Sequence, residues 1–237
     1  MKRVAVVTGG ARGIGAAISA ALAGAGYQVV AAGRSEPASG LPAGVEFLAC
    51  DVSQPPSVVA AFDALRERHG RIDVLVNNAG VAGADRLGDP LDPAWDRIID
   101  TNLSGAYRCT QAAVPLFPAS GGRVVFISSV LGLRAVPDQV AYVAAKHGVV
   151  GLAKAFALAL APRGITSNAI CPGWVDTDMA RSRYAEIGIS EDEARAGVPT
   201  RAIVTPAEVA EAVLYLCGGG ARNVTGHALV LDGGSSA

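Results

Sequence analysis

The chain has 237 residues, of which 51% are hydrophobic and 17% charged, and its formal net charge is −1. This length and composition predict one sizeable buried core. The balanced charge argues against a nucleic-acid partner and against a polybasic membrane-binding surface.

The four cysteines lie far apart, without a C-x-x-C pair: Cys50, Cys109, Cys171 and Cys217. This spacing predicts reduced thiols packed in the core, no metal site and a cytoplasmic protein. The apolar run after the N-terminal basic residues is too short for a signal peptide. The later apolar stretch 149–162 falls below the length of a membrane span, so no membrane association is expected.

Short apolar runs alternate with longer helical patterns along the chain. The predicted strands are Val4–Val7, Gln28–Ala32, Val45–Ala49, Val74–Asn77, Arg123–Ser128, Ser167–Cys171 and Ala228–Leu231. Continuously apolar strands are typical of a parallel sheet that is covered on both faces. The sequence therefore predicts an α/β Rossmann fold, with a doubly wound parallel seven-stranded sheet in one domain over residues 1–237.

Helices are predicted in the gaps between these strands. Boundary signals place them at 55–69, from 93 onward with Asp92 as cap, at about 138–162, and from 206 onward. The last helix opens with Thr205 and Glu208, which have the spacing of a capping box. The segment 172–204 lacks clear periodicity, which is typical of a lid, and a substrate-binding lid is expected at about 174–204.

The first strand leads directly into the glycine-rich segment Thr8–Gly15. Glycines let the backbone approach a pyrophosphate closely, and the following helix presents unpaired N–H groups and the positive end of its dipole. Such turns also occur as plain connections, so the segment alone is a weak signal. Small and polar residues also follow strands three to six, at the sheet edge where ligands of open α/β sheets bind.

Ser129, Tyr142 and Lys146 form a second pattern with chemical meaning. Tyr142 and Lys146 are four residues apart and share one helix face. A nearby ammonium lowers the pKa of a phenol, which suits a tyrosine that exchanges a proton with a carbonyl oxygen. A serine hydroxyl stabilises charge on that oxygen. In isolation, the same spacing is typical of a core tyrosine and a solvated lysine.

In these motifs and their order, the chain resembles the short-chain dehydrogenase/reductase family over essentially its whole length. Its pattern is most similar to that of 3-oxoacyl reductases and ketoreductases. The segment Leu231–Gly234 also resembles the closing motif of the family. The resemblance implies the catalytic residues Asn102, Ser129, Tyr142 and Lys146. Within this set, Asn102 is expected to hold a helix distortion and a proton-relay water, and Lys146 to hold the nicotinamide ribose.

The cofactor and substrate contacts follow from the same resemblance. Expected cofactor contacts are Thr8, Gly9, Arg12, Gly13, Ile14, Gly15, Arg34, Asp51, Val52, Asn78, Ala79, Gly80, Tyr142, Lys146, Pro172, Gly173, Val175 and Thr177. The residues expected to line the substrate pocket are Val81, Leu131, Leu133, Val136, Gln139 and Trp174. Such a mostly apolar set is typical of a binding pocket, although a core stripe would read the same way.

Cofactor selectivity is predicted from the end of strand two. A carboxylate about twenty residues after the glycines binds a ribose 2′-hydroxyl, whereas an arginine accommodates a 2′-phosphate. Gly33 occupies the usual acidic position and Arg34 follows it, while Arg12 adds a second guanidinium. Glu36 lies beyond the strand end and is expected to be solvated. NADP(H) is therefore favoured, with NAD(H) as the alternative.

The expected activity is NADPH-dependent reduction of a ketone to a secondary alcohol. A small ketone, a ketoester and a 3-oxoacyl thioester stay open as substrates, because 118–122 lacks the basic residue that carrier-protein-dependent reductases tend to have. The alternatives are an NAD-dependent secondary-alcohol dehydrogenase and a non-catalytic cofactor-sensing protein. The resemblance also implies a homotetramer, or a homodimer, paired through helices 92–117 and 138–162.

Overall fold

Seven parallel strands form one sheet in the computed structural model, which describes residues 2–38 and 40–237. Met1 and Ser39 fall within the predicted domain but lie outside the described residues. The strands are β1 Val4–Thr8, β2 Gln28–Gly33, β3 Val45–Ala49, β4 Val74–Asn77, β5 Gly122–Ile127, β6 Ile165–Pro172 and β7 Ala228–Leu231. Their order across the sheet is β3-β2-β1-β4-β5-β6-β7, so the predicted doubly wound sheet is confirmed.

Eight α-helices accompany the sheet within the described ranges. They are α1 Gly13–Gly24, α2 Pro55–His69, α3 Ala94–Ile98, α4 Gly105–Ala113, α5 Val140–Leu160, α6 Asp178–Ile187, α7 Glu191–Ala196 and α8 Pro206–Cys217. At α3, Asp92 accepts a hydrogen bond from the Ala94 N–H at 2.9 Å, and the helix begins one residue after Pro93. The capping box at the start of α8 is confirmed.

Two apolar layers cover the sheet, one on each face. Val6 faces the layer that includes Phe62 of α2 and Val149 of α5. Its neighbour Val7 faces the opposite layer, with Ile18 of α1. Because successive side chains of a strand point to opposite faces, a sheet covered on both sides needs continuously apolar strands. This explains why β1, β2 and β4 are apolar without alternation.

The connection between β2 and β3 departs from the predicted pattern. Its described residues, 34–38 and 40–44, contain no helix. Proline and glycine at Pro37, Gly40 and Pro42 disfavour one, so the expectation of a helix in every gap was wrong here. As a result Phe47 is only half-buried and Ala49 is exposed at this edge of the sheet.

Helix α5 is longer than the apolar stretch identified in the sequence. Together with the turn that follows it, it covers Val140–Arg163, with a mean hydropathy of 1.4 in its most apolar window. By length and composition alone this helix is sufficient to cross a membrane, which corrects the expectation drawn from 149–162. In the fold it packs against the sheet, with Val149, Ala153 and Phe156 in the core, the position of a core helix.

Candidate active site

The glycine-rich turn between β1 and α1 forms one end of the site. Gly13 has a φ of +50°, and a Cβ on Gly15 would lie only 2.0 Å from the Gly9 carbonyl oxygen. No side chain caps the first turn of α1, and that turn contains no acidic residue. Its N–H groups and positive dipole end are therefore presented to an anion.

The end of β4 is joined to this turn by hydrogen bonds. Thr8 Oγ1 accepts hydrogen bonds from the N–H groups of Asn78 and Ala79, at 3.0 and 3.1 Å. In return, Asn78 Nδ2 donates to the carbonyl oxygens of Thr8, at 3.0 Å, and Gly9, at 3.2 Å. Residues from two neighbouring strands thus hold the turn in one conformation.

Asn102 lies in a π-helical turn, Ile99–Ser104, between α3 and α4. It is 2% exposed, and both ends of its side-chain amide bond the backbone of Val81. Its Oδ1 accepts from the Val81 N–H at 2.8 Å, and its Nδ2 donates to the Val81 carbonyl at 2.8 Å. The chain that follows Gly80 is therefore fixed against the helix layer.

Ser129 lies at the end of β5 and begins a short 3₁₀ turn, Val130–Gly132, where its Oγ accepts a hydrogen bond from the Leu131 N–H at 3.1 Å. The preceding Ser128 Oγ donates to the Lys146 carbonyl oxygen at 3.0 Å. The turn that carries Ser129 is thereby packed closely against the middle of α5.

Tyr142 and Lys146 project from α5 beside this turn. The Lys146 Nζ lies 5.5 Å from the centroid of the Tyr142 ring and donates to the Ile127 carbonyl oxygen at 2.8 Å. Burial lowers the pKa of Lys146 to about 8, so its ammonium is still the main form at neutral pH. The structure brings Ser129, Tyr142 and Lys146 together.

The pKa of Tyr142 moves in the opposite direction to the sequence-based expectation. Burial raises the pKa of Tyr142 to about 12, and the neighbouring Ser129 hydroxyl opposes only part of this rise. The Lys146 ammonium donates its hydrogen bond to the Ile127 carbonyl oxygen and not to the phenol. The phenol is therefore protonated at neutral pH, which is the form that donates a proton.

The carboxyl ends of the strands together form what we call the ligand edge, and its other side lies beyond β2 and β3. Asp51 Oδ1 accepts hydrogen bonds from the Ser53 N–H at 3.0 Å and from its Oγ at 2.7 Å. The side chain of the buried Val52 packs against Gly105 of α4. Asp51 is therefore held at the end of β3, with its Oδ2 making no hydrogen bond to the described residues.

Arg12 and Arg34 are both exposed on this side. Arg12 Nη2 donates to Ser35 Oγ at 3.2 Å. Among residues 2–38 and 40–237, neither arginine has a carboxylate within 4.0 Å. Glu36 is also exposed, as expected. Two guanidiniums without carboxylate partners therefore lie beside the glycine turn.

The segment after β6 lies between β7 and the glycine turn and leads into the lid. The Gly173 N–H donates to the Leu231 carbonyl at 2.9 Å, and the Asp176 N–H donates to the Val204 carbonyl at 2.9 Å. Thr177 Oγ1 caps α6 by accepting from the Ala180 N–H at 3.3 Å. Thr177 also approaches Gly13, so the lid begins directly beside the glycine turn.

A cavity of about 460 Å³ opens in front of Tyr142 and Ser129. Four of the expected substrate-pocket residues line it: Leu131, Val136, Gln139 and Trp174. Val81 instead lines a neighbouring cleft of about 280 Å³. Leu133, 44% exposed, lies outside both spaces because it follows the 3₁₀ turn and points to solvent, which corrects the expectation for this residue.

Several cavity residues were not identified from the sequence. They are contributed by the turn after β5, by the lid and by the C-terminal segment, and include Arg134, Met179, Arg183, Ile187, Ile189 and Ser235. The described ranges contain no group of three or more His, Cys, Asp or Glu side chains arranged to hold a metal ion.

Comparison with known proteins agrees with this geometry. A family model described as enoyl-(acyl carrier protein) reductase matches residues 9–236. A putative ketoacyl reductase of Streptomyces coelicolor is 42% identical over 98% of this chain and 96% of that protein. A 3beta-hydroxysteroid dehydrogenase of Mediterraneibacter gnavus is 36% identical over 98% of this chain and 94% of its own.

A solved structure is similar over the same length. It is an actinorhodin polyketide ketoreductase variant with NADPH, which aligns with a TM-score of 0.90 at 39% identity, covering 99% of this chain and 97% of that one. The chain belongs to the short-chain dehydrogenase/reductase family. Membership makes it an oxidoreductase that uses a nicotinamide cofactor.

As in other α/β sheets that bind dinucleotides, the ligand edge of this short-chain dehydrogenase/reductase lies at the carboxyl ends of the strands. The glycine turn follows β1, Asp51 follows β3, Asn78 follows β4 and Ser129 follows β5. The fold thus gathers at one edge residues that are more than a hundred positions apart in the chain.

Proposed function

We propose that this short-chain dehydrogenase/reductase reduces a ketone to a secondary alcohol with NADPH, and that Tyr142 is its general acid. The substrate is a small ketone, a ketoester or a 3-oxoacyl thioester. The observation that carries the proposal is that Tyr142 and Ser129 face one cavity, whose wall also includes Ile14 of the glycine turn. A proton donor and a cofactor cradle therefore share one space.

The glycine turn fits a dinucleotide. The close approach of Gly15 to the Gly9 carbonyl leaves no room for a side chain, and the uncapped start of α1 offers N–H groups to a pyrophosphate. We assign the adenine side to Asp51 and Val52, and the nicotinamide side to Pro172, Val175 and Thr177. When bound, a dihydronicotinamide supplies the hydride that such a reduction needs.

The chain's own residues then handle the substrate oxygen. The Tyr142 phenol, protonated at neutral pH, donates its proton to the carbonyl oxygen as negative charge develops there. The Ser129 hydroxyl donates a hydrogen bond to the same oxygen and stabilises that charge. The Lys146 ammonium stabilises the phenolate that remains, because an opposite charge in a buried site favours the ionised form. We also assign to Lys146 the contact with the nicotinamide ribose.

The preference for NADPH is supported by Arg12 and Arg34. Their guanidiniums lie beside the glycine turn without carboxylate partners among the described residues, and a 2′-phosphate is the ligand that suits them. A related ketoreductase structure holds NADPH. The alternative is an NAD-dependent secondary-alcohol dehydrogenase, which a relative named a hydroxysteroid dehydrogenase favours. In that case Glu36 would bind the ribose.

We extend the proposal to assembly and location on the family resemblance. Helices α4 and α5 leave Tyr107 and Leu158 exposed, as expected of surfaces that pair between subunits of a homotetramer or homodimer. We place the protein in the cytoplasm, in keeping with its four buried, free cysteines. Sedimentation measurements of the purified chain decide its oligomeric state.

The activity is tested by following the absorbance of NADPH and NADH with small ketones, ketoesters and 3-oxoacyl thioesters. Tyr142→Phe should lower kcat by about a thousandfold, since it removes the proton donor, while NADPH binding stays within twofold. Tyr215→Phe, at an exposed position on α8, is the matched control and should retain full activity. Unchanged turnover in Tyr142→Phe would refute the assignment of the acid.

A further inference from the structure

The cavity in front of Tyr142 is mostly apolar but has three charged residues in its lining: Arg134, Arg183 and Glu193. One of them is already ion-paired. Arg183 forms ion pairs with Asp138 and, at 3.0 Å, with Glu186.

The carboxylate of Glu193 is occupied by the capping box of α7. It accepts hydrogen bonds from both the N–H and the Oγ of Ser190, each at 2.8 Å. Glu193 therefore stays ionised, but it is exposed, and its carboxylate is held by its own helix turn. A negative charge at this place does not bind an anionic ligand.

Arg134 is different. Its Nη1 donates to the carbonyl oxygen of Ser235 at 3.1 Å, and no carboxylate of residues 2–38 or 40–237 lies within 4.0 Å of it. Its charge contributes to lowering the pKa of Asp232, a carboxylate that already accepts from the Gly234 N–H and from Ser236 Oγ. Arg134 thus brings one positive charge, unbalanced by an ion pair, to the wall of the cavity.

The backbone of Arg134 is fixed relative to Ser129, although the arginine side chain itself is exposed. Ser129 Oγ accepts from the Leu131 N–H, and the Arg134 N–H donates to the Val130 carbonyl at 3.0 Å. Both residues therefore belong to one hydrogen-bonded turn. A substrate with its carbonyl oxygen at Ser129 would have a second group held at a defined distance by the Arg134 guanidinium.

We propose that Arg134 is a specificity-determining residue that binds a carboxylate on the substrate, so that the preferred ketones are oxo acids with an apolar body. This inference rests on the proposed function. A guanidinium pairs with a carboxylate through two parallel hydrogen bonds, and a single cation matches a monoanion better than a phosphate dianion. The apolar part of the substrate would contact Val136, Trp174 and Ile189.

The test compares acids with their neutral esters. Rates are measured with 3-, 4- and 5-oxohexanoate and with the methyl ester of each, because the series spans several distances between ketone and carboxylate. In Arg134→Gln, kcat/KM for the best acid should fall about tenfold, mainly through KM, whereas the value for its ester should change less than twofold. Arg134→Lys keeps the charge and should recover part of the loss.

Arg181→Gln is the matched control, since it removes the same charge from the lid at a residue paired with Asp178 and outside the cavity lining. It should leave both rates unchanged. If Arg134→Gln lowers kcat/KM equally for the acid and the ester, Arg134 only supports the structure through Ser235, and the proposal is overturned. It is also overturned if neither value changes.

A binding measurement separates this proposal from the proposed reaction. Each probe is titrated into the enzyme with NADP⁺ while the tryptophan fluorescence is followed, because Trp174 lines the cavity. Weaker binding of the acid, but not of the ester, to Arg134→Gln supports the assignment even if no probe is reduced. If the wild-type enzyme reduces the esters but favours the acids over the esters in neither the rate assay nor the titration, the role of Arg134 is refuted. The proposed reductase function would then remain supported.

Discussion

On the catalytic side of the ligand edge, functional side chains are fixed by buried hydrogen bonds to backbone: Asn102 to Val81, and Lys146 to Ile127. On the side that we assign to the adenine, Arg12 and Arg34 are exposed, and among the described residues the Arg12 side chain bonds the hydroxyl of Ser35. Proton transfer needs a geometry held within fractions of an ångström, whereas recognition of a phosphate tolerates adjustable charges. Changes on the first side should therefore affect stability and rate together, and changes on the second side selectivity alone.

The largest effect on stability is expected at Asn102. Asn102→Leu leaves the partly buried N–H and carbonyl of Val81 without their hydrogen-bond partner, which should lower the free energy of unfolding by about 2 kcal/mol. Activity should fall as well, because the chain after Gly80 is released. Urea unfolding measures the first effect. Gln111→Leu, an amide replaced at an exposed site, should cost well under 1 kcal/mol.

The adenine side should show the opposite behaviour. Arg34→Ala should raise KM for NADPH about tenfold and leave KM for NADH and the unfolding free energy nearly unchanged, because an exposed guanidinium contributes little to folding. Arg66→Ala, at an exposed ion pair on α2, controls for the loss of charge. If NADPH and NADH are affected equally, Arg34 does not read the 2′-phosphate.

On the catalytic side, Lys146 should also make the free energy of unfolding depend on pH. The pKa of Lys146 is lowered to about 8 in the folded chain, below that of an unfolded lysine, so between about pH 8 and 10 only the unfolded state holds the proton. Stability from this group therefore increases with pH there, by at most about 1.4 kcal/mol per unit. The raised pKa of Tyr142 acts in the reverse direction, but only above pH 10.

The contribution of Lys146 to the pH dependence of stability is obtained by subtracting the unfolding free energy of Lys146→Met from that of the wild type at each pH. Chemical denaturation at pH 7.5, 8.5 and 9.5 measures it in the cofactor-free protein. A flat difference across this range would mean that the Lys146 ammonium is better solvated than its burial implies.

The smallest effect is expected at Asp85. Its carboxylate accepts the Ala141 N–H at 3.2 Å and so caps the start of the helix that carries Tyr142. Asp85→Ala should lower the unfolding free energy by about 1 kcal/mol and kcat a few-fold, while Asp85→Asn retains an acceptor and most of both. Asp89→Ala, in the same loop, should leave kcat unchanged. Differential scanning calorimetry and steady-state assays report the two effects.

Much of the fold could be predicted from the sequence because its signals are local. Apolar runs identified all seven strands, with boundaries displaced by at most two residues at β6. The capping box at Thr205 and the glycine turn depend on a few adjacent residues, and their chemistry is the same in any context. The order of Ser129, Tyr142 and Lys146 likewise predicted which side chains would meet.

What could not be predicted depends on long-range packing. The outward direction of Leu133 and the lining contributed by Arg134 and Ser235 follow from how the C-terminal segment meets the turn after β5. The pKa of Tyr142 depends on how deeply its phenol is buried, which spacing along a helix does not reveal. The lid helices α6 and α7 are short, and their sequence carries too few turns for a clear period.

The crossover between β2 and β3 contains no helix in its described residues, 34–38 and 40–44, and most of these residues are exposed. Strands β1 and β2 pair in register from Val4 opposite Gln28 to Thr8 opposite Ala32. This register does not depend on the connection between β2 and β3. A replacement segment at this connection would contact the ribose of the cofactor and leave the cavity in front of Tyr142 unchanged. We therefore expect that the cofactor preference can be changed by replacing this connection alone.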